Sequence, residues 1–374
     1  MAYKGSGKLD TLASLYAKLE EKDSVFKRKI DLIISNNGPG SCLLRLMQIS
    51  HECNNFPSKL CDIFMEKYQE IDPRLKFYSF NINDILINVT LEDVLFITGL
   101  PIDGKPVISD TGYDEGAFLS IFGIDKKVLY ITELADIACG QEPDDRRIYA
   151  ILLIVIVSIV APTGDGHVCR SSYVQFIKNL DDVNNYAWGA ALLSFLYRGM
   201  RRYKTEEKKF VDGNTWVLLS FMLFHIPKLQ QELQIDLTVQ PPTPLLFSVV
   251  NSLEKIGRDH YSRYVPKVTA LLNSLDATDI KWHPYTREML PAMVQEQISF
   301  TTRLSPLFCL NYVEHHLPHL LAPDSPLTCA CTHMGMCIVG DLEYMFVVCS
   351  YLACHWRHLV SCHYRIVLHF FGTD

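Results

Sequence analysis

The stretch whose reading decides the fold runs from Asn88 to Val107, NVTLEDVLFITGLPIDGKPV. Its adjacent carboxylates, Glu92 and Asp93, invite a catalytic reading, yet the local pattern is that of a short capped helix. Thr90 suits an N-cap and Asp93 stands three residues on. The pair predicts a capping box, with the Asp93 carboxylate reaching back to the backbone N–H of Thr90. Val89 and Val94 occupy the two positions of a hydrophobic staple, and Leu91, Val94 and Leu95 form one apolar face. Gly99 stands where a left-handed C-terminal cap is wanted, Leu100 is expected to fold back on Leu95 as in a Schellman motif, and Pro101 forbids continuation. Asp103 and Gly104 then predict a tight turn. Only Glu92 is left without a structural task.

Working upstream, FYSFNINDILINV alternates Phe80 and Ile82, then Ile85, Ile87 and Val89, around an Asn83–Asp84 pair suited to a two-residue turn. A small β-hairpin is expected near residues 77–89. Before it, KLCDIFMEKY places Leu60, Ile63, Phe64 and Tyr68 on one helical face, with IDPR stopping the helix at Pro73. Residues 1–41 read as a helical arm, with Leu12, Leu15, Tyr16 and Leu19 at helical spacing. The GSGK at Gly5–Lys8 is not a phosphate loop, because Ala2 and Leu9 stand where that motif needs Gly and Ser or Thr.

Working downstream, NNYAWGAALLSFLYRGM spaces Trp188, Ala191, Leu192, Phe195 and Leu196 along one face. Its Gly189, Ala190 and Ala191 are small enough for another helix to approach closely. The segment NTWVLLSFMLFHIP is apolar nearly all round, from a cap at Asn214 to a stop at Pro227, and belongs inside the domain. After a proline-rich break, TVQPPTPLL, a last helix is expected over PLFCLNYVEHHLP, with Phe308, Tyr312, Val313, His316 and Leu317 on one side. The expected fold is mainly α: a single large helical domain over 42–328, carrying the hairpin, with the arm before it and a divergent Cys/His-rich tail over 329–374.

Composition sets wider bounds. A chain of 374 residues, 48% hydrophobic and 21% charged, can bury a sizeable core, which excludes disorder as a global description. A formal charge of -7 argues against a wholesale nucleic-acid coat. The mixed, charged start predicts no secretory leader, and the 12 cysteines are expected to stay reduced. The longest apolar run, 14 uncharged residues from Ile148 to Ala161, falls short of the about 20 a membrane span needs. It reads as a buried helix, and no membrane partner is expected.

Candidate chemistry is sparse. RGMRRYKTEEKK sets Arg198, Arg201, Arg202, Lys204, Lys208 and Lys209 against Glu206 and Glu207, with Tyr203 available for stacking. Arg198, Arg201, Arg202 and Lys204 are the candidate phosphate contacts of a nucleic-acid site. The competing reading is a helix C-terminus whose cations suit the macrodipole, followed by a solvated linker. The tail from Cys329 holds six cysteines and five histidines, but none of its spacings gives the paired C-x2-C of a zinc site. Glu314, His315, His316 and His319 lack the H-E-x-x-H order, and His316 reads as a hydrogen-bonded core histidine. No catalytic residue, metal ligand or cofactor is expected.

Four blocks in order, VTLEDVLFITGLPIDGKPV, NLDDVNNYAWGAALLSFLYRGM with TWVLLSFMLFHIP, IKWHPYT, and PLFCLNYVEHHLP, together resemble the plant mobile domain family, also called aminotransferase-like or MAINTENANCE OF MERISTEMS-like. The motif positions are Thr90, Leu91, Glu92, Asp93, Gly99, Leu100, Pro101, Asp103, Gly104, Tyr186, Trp188, Gly189, Tyr197, Arg198, Trp282, Pro284, Tyr285, Glu314, His316, Leu317 and Pro318. The last block departs from the family, with His315 where a Trp is usual. The resemblance implies a transposon-related domain acting in the nucleus. It links such domains to meristem maintenance, development and transposon silencing, with nuclear protein partners that include a phosphatase of the protein phosphatase 7-like type. It carries no catalytic residue set. A DNA-associated accessory of a transposable element and an aminotransferase-like enzyme are the alternatives, and pyridoxal phosphate chemistry lacks the phosphate cup it needs.

Overall fold

The computed structural model describes residues 9–48, 57–73, 77–109, 116–162, 168–206, 208, 211–237, 244–254, 256, 261–303 and 305–316. The GSGK stretch, Lys209, most of the proline-rich break, Leu317, Pro318, His319 and the Cys/His-rich tail lie outside those residues. The chain divides into two units, Met1–Leu321 and Ala322–Asp374. Everything below concerns the first.

That unit is mainly helical. In chain order its helices are α1 Leu9–Lys22, α2 Ser24–Ser35, α3 Ser41–Leu44, α4 Ser58–Lys67, α5 Leu91–Thr98, α6 Ala117–Phe122, α7 Ile131–Cys139, α8 Asp144–Val155, α9 Trp188–Thr205, α10 Thr215–His225, α11 Pro227–Leu233, α12 Leu245–Glu254 and α13 Tyr261–Leu272. The strands are β1 Tyr68–Asp72, β2 Phe77–Ile82, β3 Ile85–Ile87, β4 Val107–Ile108, β5 Val128–Tyr130, β6 Val168–Arg170, β7 Ser305–Leu310 and β8 Tyr312–His316. They form small sheets in the orders β1-β2-β3, β4-β7-β8 and β5-β6.

The core follows the apolar faces. Leu12, Leu15 and Leu19 of α1 and Phe26, Ile30 and Ile34 of α2 are buried in the same cluster as the middle of the chain. All of α10 is buried, from Thr215 to His225, with Asn214 capping it through the Trp216 N–H at 3.2 Å. The apolar run forms α8 and continues as a π-helical turn, Ile156–Val160. Among the described residues no helix is long and apolar enough to cross a membrane. Arg147 of α8 is buried as well; it stacks on Phe26 at 3.6 Å and donates to Asp23 at 2.8 Å and to the Ala138 carbonyl at 2.9 Å.

Around residues 77–89 the hairpin forms with Asn83 and Asp84 both at positive φ, 52° and 65°, as a tight turn between β2 and β3 demands. Two expectations need correction. The helix before it ends at Lys67, and Tyr68 begins β1, pairing with Phe80, so the hairpin is part of a three-stranded sheet. Over its described residues, 306–316, the segment expected as a helix is the β7–β8 hairpin, while Leu317 and Pro318 lie outside the described residues. Its inward residues alternate, Leu307 and Cys309 on one strand and Glu314 and His316 on the other, while Val313 is 51% exposed. Two of these inward groups are polar, so hydrophobic spacing could not reveal the period of two.

Candidate functional site

The opening stretch lies at the centre of the unit. The capping box at the start of α5 forms as the residue types require: the Thr90 N–H donates to Asp93 Oδ2 at 2.7 Å and Thr90 Oγ1 accepts from the Asp93 N–H at 3.4 Å. Gly99, at φ 68°, closes the other end with its N–H on the Leu95 carbonyl at 2.9 Å. The bond is the single one of an αL cap rather than a Schellman pair, because the Leu100 N–H goes instead to Thr98 Oγ1 at 3.2 Å.

Asp93 does more than cap. Its side chain is 1% exposed, and Oδ1 accepts from His225 Nε2 at 2.7 Å and from the Tyr285 hydroxyl at 2.7 Å. Oδ2 also receives the Thr90 hydroxyl at 2.7 Å. Burial alone would push this carboxyl up; the His225 imidazole and the bonds from His225, Thr90 and Tyr285 outweigh it and hold the carboxyl below its ordinary value. Burial, then the Asp93 charge, pushes the Tyr285 phenol up well above its ordinary range. Tyr285 stacks on Phe96 with ring centroids 4.7 Å apart, and His225 packs against Phe221 at 4.6 Å. Glu92, the residue without a task in the sequence, is half-buried and meets the exposed His283 of the IKWHPYT block at 3.6 Å. Burial, then its neighbour Asp93, raises the Glu92 carboxyl, with His283 and His225 opposing.

The other blocks converge on the same helix. His316 Nε2 accepts the Leu91 N–H at the α5 N-terminus at 3.2 Å, while its Nδ1 lies 2.9 Å from the Arg303 carbonyl. A carbonyl can only accept and an amide can only donate, so the ring is the Nδ1–H tautomer. The Tyr197 hydroxyl donates to the Val89 carbonyl. Beyond the α5 C-terminus, the Gly189 N–H donates to the Pro101 carbonyl at 2.7 Å. A Cβ on Gly189 would meet Ile102 Cγ2 at 2.9 Å and the Pro101 carbonyl at 3.1 Å. At Gly189, therefore, α9 admits the Gly-Leu-Pro corner that follows α5. The Asp103–Gly104 turn docks alongside, with the Lys105 N–H on the Asn185 carbonyl at 2.7 Å and Lys105 bridged to Tyr186. Trp188 is fully buried and donates through Nε1 to the Val183 carbonyl at 2.7 Å. Trp282 is half-buried against the core and Pro284 is buried beside Tyr285.

The candidate phosphate contacts are placed differently from one another. Arg201 grips Glu314 of β8 with both Nη atoms, at 2.7 and 2.5 Å. Arg202 binds Glu206 at 2.9 Å and Asp212 at 3.5 Å. Arg198 lies on the Tyr312 ring, 3.3 Å from its centre, and Lys204 is exposed. Among the described residues no group of three or more His, Cys, Asp or Glu side chains is arranged to hold a metal ion.

The model of one family, the plant mobile domain, matches residues 79–323. The chain belongs to the plant mobile domain family. It is similar to three proteins of Arabidopsis thaliana, each matched over 62% of this chain: Protein MAIN-LIKE 1 at 25% identity, Protein MAIN-LIKE 2 at 26% and Protein MAINTENANCE OF MERISTEMS at 24%. The matches span 48%, 37% and 50% of those relatives, about half of their length or less. No solved structure matches the chain at a significant level.

Within this plant mobile domain the motif positions are mostly internal contacts. Thr90, Asp93, Gly99, Pro101, Gly104, Tyr186, Gly189, Tyr285, Glu314 and His316 each touch another of these segments or cap α5, and Trp188 ties its own block together. His225 is the participant that motif reading passed over. Its signal was one histidine at the end of a helix otherwise apolar all round, a position that needs a buried hydrogen-bond partner.

Proposed function

We propose that this plant mobile domain is a non-catalytic, transposon-derived interaction module. In this reading it acts in nuclear complexes linked to meristem maintenance, development and transposon silencing. Its mechanism is surface recognition of nuclear proteins, a protein phosphatase 7-like phosphatase among them. The observation that supports it is the Asp93 cluster: each carboxylate oxygen already accepts two hydrogen bonds and the side chain is 1% exposed. An acid–base residue must reach a substrate proton, and this buried carboxylate is engaged by Thr90, His225 and Tyr285. Affinity capture from plant nuclei followed by mass spectrometry tests the reading. Recovery of a phosphatase with other nuclear proteins is the expected result, and recovery of chaperones alone would sink it.

The DNA-accessory alternative draws on Arg198 and Lys204, which carry no salt bridge among the described residues. It requires salt-dependent DNA binding that is lost when Arg198 and Lys204 become Ala. The aminotransferase-like alternative requires a visible absorbance on adding pyridoxal phosphate, trapped on one lysine by borohydride.

A further inference from the structure

A cavity of about 310 Å³ opens between β6, the following 3-10 segment Ser171–Phe176, the middle of α9 and the turn of the β7–β8 hairpin. It shares no residue with the Asp93 cluster. Its wall carries three guanidinium groups, those of Arg170, Arg198 and Arg202, against the single carboxylate of Asp212. Arg198 and Arg202 stand four residues apart on α9, which puts them on one face of the helix. Arg202 is held by Glu206 and Asp212, and Asp212 is also bound by Lys208 at 3.1 Å. Among the described residues Arg170 and Arg198 form no salt bridge, and Glu206 and Glu314 act on Arg198 only through space.

Their setting is built rather than incidental. Arg198 lies on the Tyr312 ring at 3.3 Å, a stack that occupies the face of the guanidinium and not its in-plane N–H edge. Asp212 is brought to the wall by a close approach of backbones: a Cβ on Gly199 would stand 1.6 Å from the Asp212 carbonyl. Ser172 and Asn311 add neutral donors, and the buried rings of Tyr173 and Phe195 give the cavity an apolar side.

We propose that this cavity binds a phosphomonoester carrying a small planar organic body. Two guanidinium forks match the oxygens of a dianionic phosphoryl group bidentately, and hydroxyl and amide donors complete its shell. The apolar side takes the organic body. The volume lies at the low end of small-ligand pockets. A duplex backbone fits less well, because it needs a continuous outward ridge of cations and Arg201 between the two arginines is turned to Glu314.

Calorimetric titration of the full chain with inorganic phosphate, phenyl phosphate and phenol provides the test, with Arg170→Gln and Arg198→Gln variants in parallel. Saturable binding of phenyl phosphate is expected, tighter than inorganic phosphate, with none for phenol. Each substitution is expected to weaken it about tenfold or more, the loss of one charge-assisted pair. Because Arg198 also packs on Tyr312, the exposed Arg170 keeps the test clean: Arg170→Gln is expected to leave the unfolding midpoint unchanged. No saturation by about 10 mM phenyl phosphate would overturn the proposal. So would undiminished binding by folded Arg170→Gln, or binding of a short DNA duplex that phenyl phosphate does not displace.

Discussion

Each oxygen of the Asp93 carboxylate accepts two hydrogen bonds, from the Thr90 N–H and hydroxyl on one and from His225 and Tyr285 on the other. Glu314, paired with Arg201 of α9, is the other carboxylate buried among the described residues, and its balance falls the opposite way. Burial pushes the Glu314 carboxyl up, and the bonds and charge of Arg201 recover only part of the shift. The two groups therefore have opposite effects on stability with pH. For Asp93, held below its ordinary 3.8, the contribution is present above that value and is lost as pH falls through the lower folded-state pKa. For Glu314, raised above 4.5, the contribution is present below that value and is lost as pH rises through the higher folded-state pKa. An Arg201→Met variant removes the opposing charge. It is expected to lose about 3 kcal/mol near neutrality, and the deficit should narrow as pH falls from about 7 to about 5. Urea unfolding across that range measures it, and a deficit independent of pH would refute the assignment. Glycines test the corners at the same scale. Gly99→Ala forces an L residue to φ 68° and should cost about 1–2 kcal/mol. Gly104→Ala should cost more, because it adds a Cβ 2.3 Å from the Asn185 carbonyl to the strain of φ 137°.

At the scale of elements, the short helix α5 is held from both ends and one side by segments distant in sequence. His316 of β8 caps its first N–H, the Gly189 amide takes the carbonyl of Pro101 after its last turn, and His225 of α10 reaches its flank. Much of this was legible locally. The Thr90–Asp93 capping box, the Gly99 cap, the Asn83–Asp84 turn and the Asn214 start of α10 all depend on residues within four positions of one another, where sequence carries the signal. What was not legible depends on partners far away. The β7–β8 hairpin read as a helix because its inward Glu314 and His316 are polar, satisfied by Arg201 and by the α5 backbone. Oδ1 of Asp93 likewise has partners 132 and 192 residues away. A double variant, Arg201→Met with Glu314→Leu, should recover most of the stability that Arg201→Met loses, since an apolar pair removes the stranded charge. Additive losses in the two single variants would show that the hairpin is not held by this pair.

For the whole molecule, the arm is not an appendage. Leu12, Leu15, Leu19, Phe26 and Ile30 are each at most 2% exposed, and Asp23 meets the buried Arg147 of α8. Removing residues 1–41 should leave a chain that aggregates, since it bares that apolar surface; a soluble, cooperatively unfolding truncation would contradict the packing. The central claim is that the blocks by which the plant mobile domain is recognised hold one scaffold together, with Asp93 at the crossing. Equilibrium unfolding of Asp93→Ala beside Glu92→Ala tests it most directly. Asp93→Ala strands the donors of Thr90, His225 and Tyr285 and is expected to lose about 3–5 kcal/mol. Glu92→Ala should stay within about 0.5 kcal/mol of the parent, because its ion pair among the described residues is with an exposed histidine. An Asp93→Ala protein as stable as the parent would contradict the account.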